Sequence, residues 1–145
     1  MINKILKNYI DTRPKDIFIN YNNSNITYDD IAYAVEGRIK SMQAINIQKG
    51  DLVGIYLTNS LNLLEVLFGC IEIQAIPLII PASFTSKEIN NLCDSINFKY
   101  FITDWNKSDN IKNNKIPKFS IEELSPGIGG CSPSSRTQLD ANQIA

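Results

Sequence analysis

Signals for β-strands and α-helices alternate between residues 17 and 104, and this alternation constrains the fold more than any other feature of the chain. Short apolar runs are separated by stretches in which apolar residues recur at helical spacing. Strands that alternate with helices form parallel sheets with right-handed crossovers, because two parallel neighbours need a long connection. The sequence therefore predicts an α/β fold, a three-layer parallel-sheet unit with helices on both faces.

The strand signals give specific boundaries. We expect a hairpin of residues 17–21 and 26–27, and then strands at residues 52–57, 75–80 and 100–103, the last of the unit. Lys49-Gly50-Asp51 is a tight turn into the strand at 52–57. Pro77 weakens the strand at 75–80, since proline has no N–H for a ladder. Residues 119–124 are a candidate for one further short element.

Two helices carry clear start signals. Thr27 can cap a helix whose first turn contains Asp29 and Asp30, and Thr85 and Glu88 form a capping box. Apolar residues then mark one face of each helix at spacings of three and four. They are Ile31, Val35, Ile39 and Met42 in the first helix, and Ile89, Leu92, Cys93 and Ile96 in the second.

The helix between these two is apolar around most of its circumference. Asn59 or Ser60 is its predicted cap, and its polar positions form one narrow stripe of Asn62, Glu65, Gly69 and Glu72. We expect this helix to be largely buried and the stripe to face solvent. Its apolar stretch, residues 61–73, is too short and too polar to span a bilayer.

Composition limits the remaining possibilities. The chain has 14 basic and 15 acidic residues without a basic block, which disfavours nucleic acid as a partner. It contains no histidine, so an imidazole base or zinc ligand is excluded within this sequence. Cys70, Cys93 and Cys131 lack metal-ligand or redox spacing, and the first two are predicted core side chains. The N-terminus shows no signal peptide, which makes the cytoplasm the expected location.

Three motifs could carry chemistry, and each has a structural explanation. Gly127-Ile128-Gly129-Gly130 lacks the third glycine of a dinucleotide loop and is better explained as a linker. Asp104–Asn110 lacks the glycine and glutamate of a calcium loop, so a polar surface loop is expected. Glu65 and Glu72 are separated by about 10 Å of helix rise, too far to share a proton.

The order of several of these pieces resembles the opening of the adenylate-forming (AMP-binding, acyl-CoA synthetase) enzyme family. The resemblance rests on Thr27–Ile31, Lys49–Ile55, Asn59-Ser60, Ile76-Pro77-Leu78, Lys87-Glu88-Ile89 and Asp94-Ser95, with weaker support from Leu139–Ala145. The chain departs from the family pattern at Gln74, where glycine is usual, and at Thr58, where proline is common. These departures bear on the subfamily more than on the fold.

The resemblance implies a domain division and a reaction. Residues 1–104 would be the N-terminal α/β part of an AMP-binding domain, 105–138 a polar and Pro/Gly/Ser-rich connection, and 139–145 the start of the next strand. The parent enzyme would be an ATP-dependent ligase that activates a carboxylic acid as acyl-AMP and transfers it to coenzyme A or a carrier thiol, with Mg²⁺. The family's phosphate loop, adenine-binding segments and lysine-bearing C-terminal domain come later in its chains, so no catalytic, cofactor-binding or metal-binding residue is assigned here.

Three hypotheses are consistent with these patterns. The first is an N-terminal fragment of such a ligase, inactive alone, whose partner is the remainder of the parent chain. The cut sheet would leave an open edge and uncovered apolar faces, so we expect the fragment to self-associate. The second is a stand-alone, non-enzymatic α/β binding or interaction module. The third, an independent nucleotide-binding enzyme, lacks a phosphate cradle in the sequence.

Overall fold

The computed structural model describes residues 2–58 and 60–124 of the chain. The helices are α1 (Ile2–Thr12), α2 (Tyr28–Ala44), α3 (Leu61–Ile73), α4 (Ser86–Ser95) and α5 (Trp105–Ser108). The strands are β1 (Ile17–Tyr21), β2 (Ser24–Thr27), β3 (Leu52–Tyr56), β4 (Ile76–Ile79), β5 (Tyr100–Thr103) and β6 (Lys118–Ser120), and a 3₁₀ turn comes next at Ile121–Glu123. No helix among these residues is long and apolar enough to cross a membrane.

The four later strands form one parallel sheet in the order β4-β3-β5-β6. The strands β1 and β2 form the separate antiparallel hairpin that the sequence predicts. Side chains of alternate residues in the central strands lie on opposite faces of the parallel sheet, and helices cover both faces, which gives two cores. Val53 and Ile55 pack in the core that contains α3, whereas Tyr56 packs in the core that contains α4. The predicted three-layer α/β fold is confirmed.

The helix starts are fixed by local hydrogen bonds. The Thr27 hydroxyl accepts from the Asp30 amide at 3.1 Å, and the Asp30 carboxylate accepts from the Thr27 amide at 3.0 Å. The predicted capping box of Thr85 and Glu88 has the same reciprocal pair, at 3.2 and 2.9 Å. Each box satisfies two backbone amides that the helix itself leaves unbonded, which determines where α2 and α4 begin.

One glycine in β3 leaves room for an aromatic ring from the neighbouring strand β5. A Cβ added to Gly54 in β3 would lie 2.5 Å from Cε1 of Phe101 in β5. The ring of Phe98 packs against that of Phe101, with 4.7 Å between their centroids. Glycine at position 54 therefore makes room for the aromatic pair that fills the core beneath α4.

Some sequence predictions need correction. Residues 100–103 are not the last strand, because Lys118–Ser120 pairs in parallel with Phe101–Thr103 and extends the sheet. The candidate short element at residues 119–124 overlaps this strand and the following 3₁₀ turn, but three residues without alternation could not be assigned as a strand from the sequence. The strand predicted at 75–80 is shorter, Ile76–Ile79. Residues 105–108 form a short helix where a loop was expected. The division of the chain at residues 104 and 138 stays a prediction.

The N-terminal helix α1 has no counterpart among the predicted elements. It packs on α2 and α3, and the Tyr9 ring stacks on that of Tyr28 in α2 at 5.1 Å between centroids. The spacing of four between Leu6 and Ile10 is the sequence signal that could have revealed it.

Candidate functional site at the carboxyl edge of the sheet

The carboxyl ends of the parallel strands form the candidate site. In open α/β sheets, ligands bind in the crevice outside these ends, where the loops after neighbouring strands meet. Here the loops begin at Leu57 after β3, at Ile80 after β4 and at Asp104 after β5. The site must therefore be judged by what the side chains of these three loops do.

Asp104 fastens the end of β5 to the end of β3. One oxygen of its carboxylate, Oδ2, accepts hydrogen bonds from the Thr58 amide and from the Thr58 hydroxyl, both at 2.9 Å. The other oxygen accepts from the Lys107 amide at 2.9 Å and so caps α5. The residue is only 7% exposed. Buried carboxylates need such donors, so these three bonds explain how Asp104 can lie at this position.

Lys107 and Tyr56 fasten the loop after β4 to the same edge. The Lys107 ammonium donates to the Ala82 carbonyl at 2.9 Å and lies 5.9 Å from the centroid of the Tyr56 ring. The Tyr56 hydroxyl donates to the Phe84 carbonyl at 2.7 Å and can accept from the Asn110 side-chain amide at 2.9 Å. All three loops are thus joined by one hydrogen-bonded group, which we call the edge clasp: Tyr56, Thr58, Asp104, Lys107 and Asn110.

The edge clasp braces loops and has no evident means of acid–base chemistry. Its carboxylate and its ammonium are both occupied by groups of the protein itself. Among the described residues, no group of three or more Cys, Asp or Glu side chains could hold a metal ion. At this edge the Asp104 carboxylate and the Lys107 ammonium both hold loops of the protein together, so we assign neither of them to ATP or Mg²⁺.

The structure assigns the predicted motifs as follows. Gly50 adopts φ +86°, as the predicted turn requires, and Asp51 accepts the Gln48 amide at 2.8 Å. Ser60 is the N-cap of α3 but makes no side-chain capping bond, while Asn59 lies outside the described residues. The predicted loop at residues 104–110 contains the short helix α5, and the Asp104 carboxylate is the cap of that helix. The Gly127–Gly130 run lies outside the described residues.

The predicted solvent-facing stripe of α3 is wrong for Glu65. Its side chain is fully buried and accepts a hydrogen bond from Arg38 Nε at 2.9 Å, and the same guanidinium donates to Asn62 Oδ1 at 2.7 Å. Gly69 of the same stripe also faces α2, because an added Cβ there would meet Met42. Only Glu72 of the stripe is exposed. The polar stripe is the surface on which α2 packs.

Arg38 is the residue that sequence reasoning missed. It lies in the middle of the apolar face of α2, seven residues after Ile31 and four before Met42, and all three side chains are fully buried. A cation at that spacing in an apolar stripe needs a buried anion on the facing helix. That spacing is the signal that could have identified the pair with Glu65.

The two described cysteines are core residues, as predicted. Burial raises the pKa of the Cys70 thiol to about 12. Burial, followed by the nearby Asp94 carboxylate, raises the pKa of Cys93. A thiol with a raised pKa is a poor nucleophile near neutral pH, because the thiolate is the reactive form. Neither cysteine is suited to covalent catalysis. Cys131 lies outside the described residues.

Comparison with known proteins decides the family. The model of a family described as AMP-binding enzyme matches residues 6–142. The chain belongs to the AMP-binding enzyme family. A curated relative, the acetyl-coenzyme A synthetase of Paraburkholderia phymatum, is 25% identical over 109 residues, which are 74% of this chain and 16% of that protein.

Solved structures of other proteins show the same fold. The Klebsiella oxytoca NpsA N-terminal subdomain in complex with 3-hydroxybenzoyl-AMSN matches with a TM-score of 0.73 and 18% identity, over 82% of this chain and 29% of that one. The Bacillus subtilis O-succinylbenzoate coenzyme A synthetase MenE in complex with AMP matches with a TM-score of 0.74 and 15% identity, over 81% of this chain and 31% of that one. The chain thus spans less than a third of each of these relatives and corresponds to an N-terminal region of an adenylate-forming enzyme.

Proposed function

We propose that this chain is the N-terminal scaffold of an ATP-dependent acid–thiol ligase. The whole protein would join a carboxylic acid to the α-phosphate of ATP, release pyrophosphate, and pass the acyl group from acyl-AMP to coenzyme A or a carrier thiol. The single observation that carries this proposal is the family match, which extends over nearly the whole chain. ATP and coenzyme A are cytoplasmic metabolites, so we propose the cytoplasm as the site of action.

The described residues support a scaffolding role for this part of the enzyme. The edge clasp fastens three loops at the edge where α/β sheets bind ligands, and its own polar groups are already bonded to protein. We therefore propose that the groups that bind ATP, Mg²⁺ and the acid lie elsewhere in the polypeptide. On this proposal, residues 1–145 alone form no acyl-adenylate.

The hydrogen bonding of the edge clasp also favours a second function. A sheet edge whose polar groups are satisfied internally would also suit a stand-alone, non-enzymatic interaction module. The two functions require different gene sequences after codon 145. A ligase requires an open reading frame that continues into a Ser/Thr/Gly-rich phosphate loop, whereas a module is favoured by a stop codon.

The test compares the 145-residue chain with the polypeptide encoded by its natural reading frame. Both are assayed for AMP binding by calorimetry and for exchange of labelled pyrophosphate into ATP with Mg²⁺ and a panel of carboxylic acids. We expect AMP binding and exchange only in the longer polypeptide. Exchange by the 145-residue chain would contradict the scaffold proposal. A longer polypeptide that binds no AMP would contradict the ligase proposal.

A further inference from the structure

The outer edge of β4 combines a blocked backbone with exposed apolar side chains. The Ile76 amide donates to the Asp51 carbonyl at 2.7 Å, and the Ile80 amide donates to the Ile55 carbonyl at 2.9 Å. Backbone groups of alternate residues in a parallel strand point to the same neighbour. Residues 76, 78 and 80 thus face β3, and residues 75, 77, 79 and 81 face outward.

Few of the outward positions can donate a hydrogen bond. Pro77 and Pro81 have no N–H, and the Ala75 amide already donates to the Cys70 carbonyl at 3.0 Å. Of these four outward positions, only Ile79 keeps an amide for an incoming strand. Proline at an edge is one way in which natural sheets prevent strand addition. Pro77 also costs the sheet no hydrogen bond to β3, because its nitrogen faces away from that strand.

The side chains at this edge are nevertheless suited to burial. Ile76 is 53% exposed and Ile79 is 45% exposed, although isoleucine has no polar end to offer water. The chain spans only 29% of the NpsA N-terminal subdomain, so most of the corresponding subdomain lies outside it. Residues 76 and 79 are three apart in the strand, so their side chains lie on opposite faces of the sheet, and the edge presents one exposed isoleucine on each face. A segment that covers both must therefore pack around the edge.

We propose that the outer edge of β4 is an interface for the later part of the same domain, which covers Ile76 and Ile79 by side-chain packing and adds no strand there. This inference rests on the proposed function, because it requires a longer polypeptide. The occupant is an apolar segment of that polypeptide that packs around the edge, because the two isoleucine side chains lie on opposite faces of the sheet. Sheet growth by hydrogen bonding is then excluded at β4.

Cysteine accessibility tests the interface without requiring enzyme activity. Ile79→Cys is introduced into the 145-residue chain and the longer polypeptide, both carrying Cys131→Ser, and labelled with a maleimide under native conditions. Cys70 and Cys93 are buried and give little background. We expect labelling at position 79 at least tenfold slower in the longer polypeptide. Ile17→Cys, at a position 54% exposed on the hairpin, is the matched control and should label equally in both.

A second pair of variants tests the proline block in the 145-residue chain. Pro77→Val restores an outward amide, so we expect faster sedimentation as the edge begins to pair with other copies. Leu78→Val is the control, because the amide of residue 78 faces β3. Unchanged sedimentation of Pro77→Val would refute the role of proline at this edge.

The other outcomes overturn the interface proposal itself. Equal labelling at position 79 in both polypeptides would show that the edge stays in solvent. Concentration-dependent protection in the 145-residue chain would identify a second copy as the occupant. A stop codon directly after codon 145 would remove the proposed occupant. A longer polypeptide that protects position 79 but neither binds AMP nor exchanges pyrophosphate would retain the interface and refute the ligase.

Discussion

Breaking the buried ion pair between α2 and α3 should cost more stability than any surface change in this chain. Glu65→Gln keeps the shape of the side chain and an acceptor oxygen, but it leaves the buried Arg38 guanidinium without its counter-charge. Both side chains of the pair are 0% exposed, with 2.9 Å between Nε and Oε1. Removing one partner of such a pair typically costs about 3–5 kcal/mol, because the remaining charge stays buried.

That loss is a large part of the total free energy of unfolding. Domains of this size have free energies of unfolding of about 5–15 kcal/mol, so a loss of about 3–5 kcal/mol is more than half of the total at the lower end of that range. At about 3 °C per kcal/mol, the melting temperature should fall by roughly 10–15 °C. Urea unfolding followed by circular dichroism, together with thermal melts, measures both quantities.

Two further variants make the test specific to the buried charge. Glu36→Gln removes an exposed partner of Lys40 in α2, where the atoms are 3.8 Å apart and both side chains are at least 70% exposed. It should change the free energy of unfolding by less than about 0.5 kcal/mol. The double variant Arg38→Met/Glu65→Leu should be near neutral or more stable than the wild type, because it removes both charges together.

A melting temperature of Glu65→Gln within about 3 °C of the wild type would refute this reasoning, since a buried guanidinium that loses its carboxylate partner cannot cost so little. A double variant as unstable as the single one would refute it as well. In that case packing at this position, and not the uncompensated charge, would account for the loss.

Three other variants have expected outcomes that depend on the described contacts. Asp104→Ala should cost about 2–4 kcal/mol through a lost helix cap and an unbonded Thr58 amide, and hydrogen exchange should show that amide unprotected. Gly54→Ala should cost about 1–3 kcal/mol in chemical denaturation, because the new methyl group meets the Phe101 ring at 2.5 Å. The pKa of Cys70 is raised from about 9 in the unfolded chain to about 12, so its contribution to stability is fully present below pH 9 and declines as the pH rises from 9 to 12. Melts of Cys70→Ala at the same pH values should not show this decline.

Elements with local signals could be predicted from the sequence. The capping box of Thr85 and Glu88 uses residues three apart, and the turn at Gly50 needs one residue that tolerates positive φ. The strands β3 and β5 are apolar runs of ordinary length between clear breaks. The strand β6 has no such signal, because three residues cannot show a period and its pairing with β5 depends on a loop of polar residues.

The edge clasp could not be predicted because each of its members has a satisfactory local explanation. Asp104 caps a short helix, and this local role would account for its presence without any contact to β3. Thr58 lies 46 residues earlier, and its two bonds to the same carboxylate depend on β3 and β5 being neighbours in the sheet. Strand order is a property of the whole sheet, so the residues that join strand ends cannot be paired before the order is known.

The buried pair of Arg38 and Glu65 is a different case, because the sequence held more information than either helix shows alone. A narrow polar stripe on an apolar helix favours solvent exposure only if no neighbouring helix carries a charge that must be neutralised. The face of α2 does carry one, since Arg38 lies at helical spacing between Ile31 and Met42. A cation there can be buried only beside an anion, and Glu65 is a carboxylate at the centre of the polar stripe on the next helix. The cation on the apolar face of α2 and the carboxylate on the polar stripe of α3 therefore explain each other. Helices that are consecutive in a chain should be examined as pairs before a polar stripe is assigned to solvent.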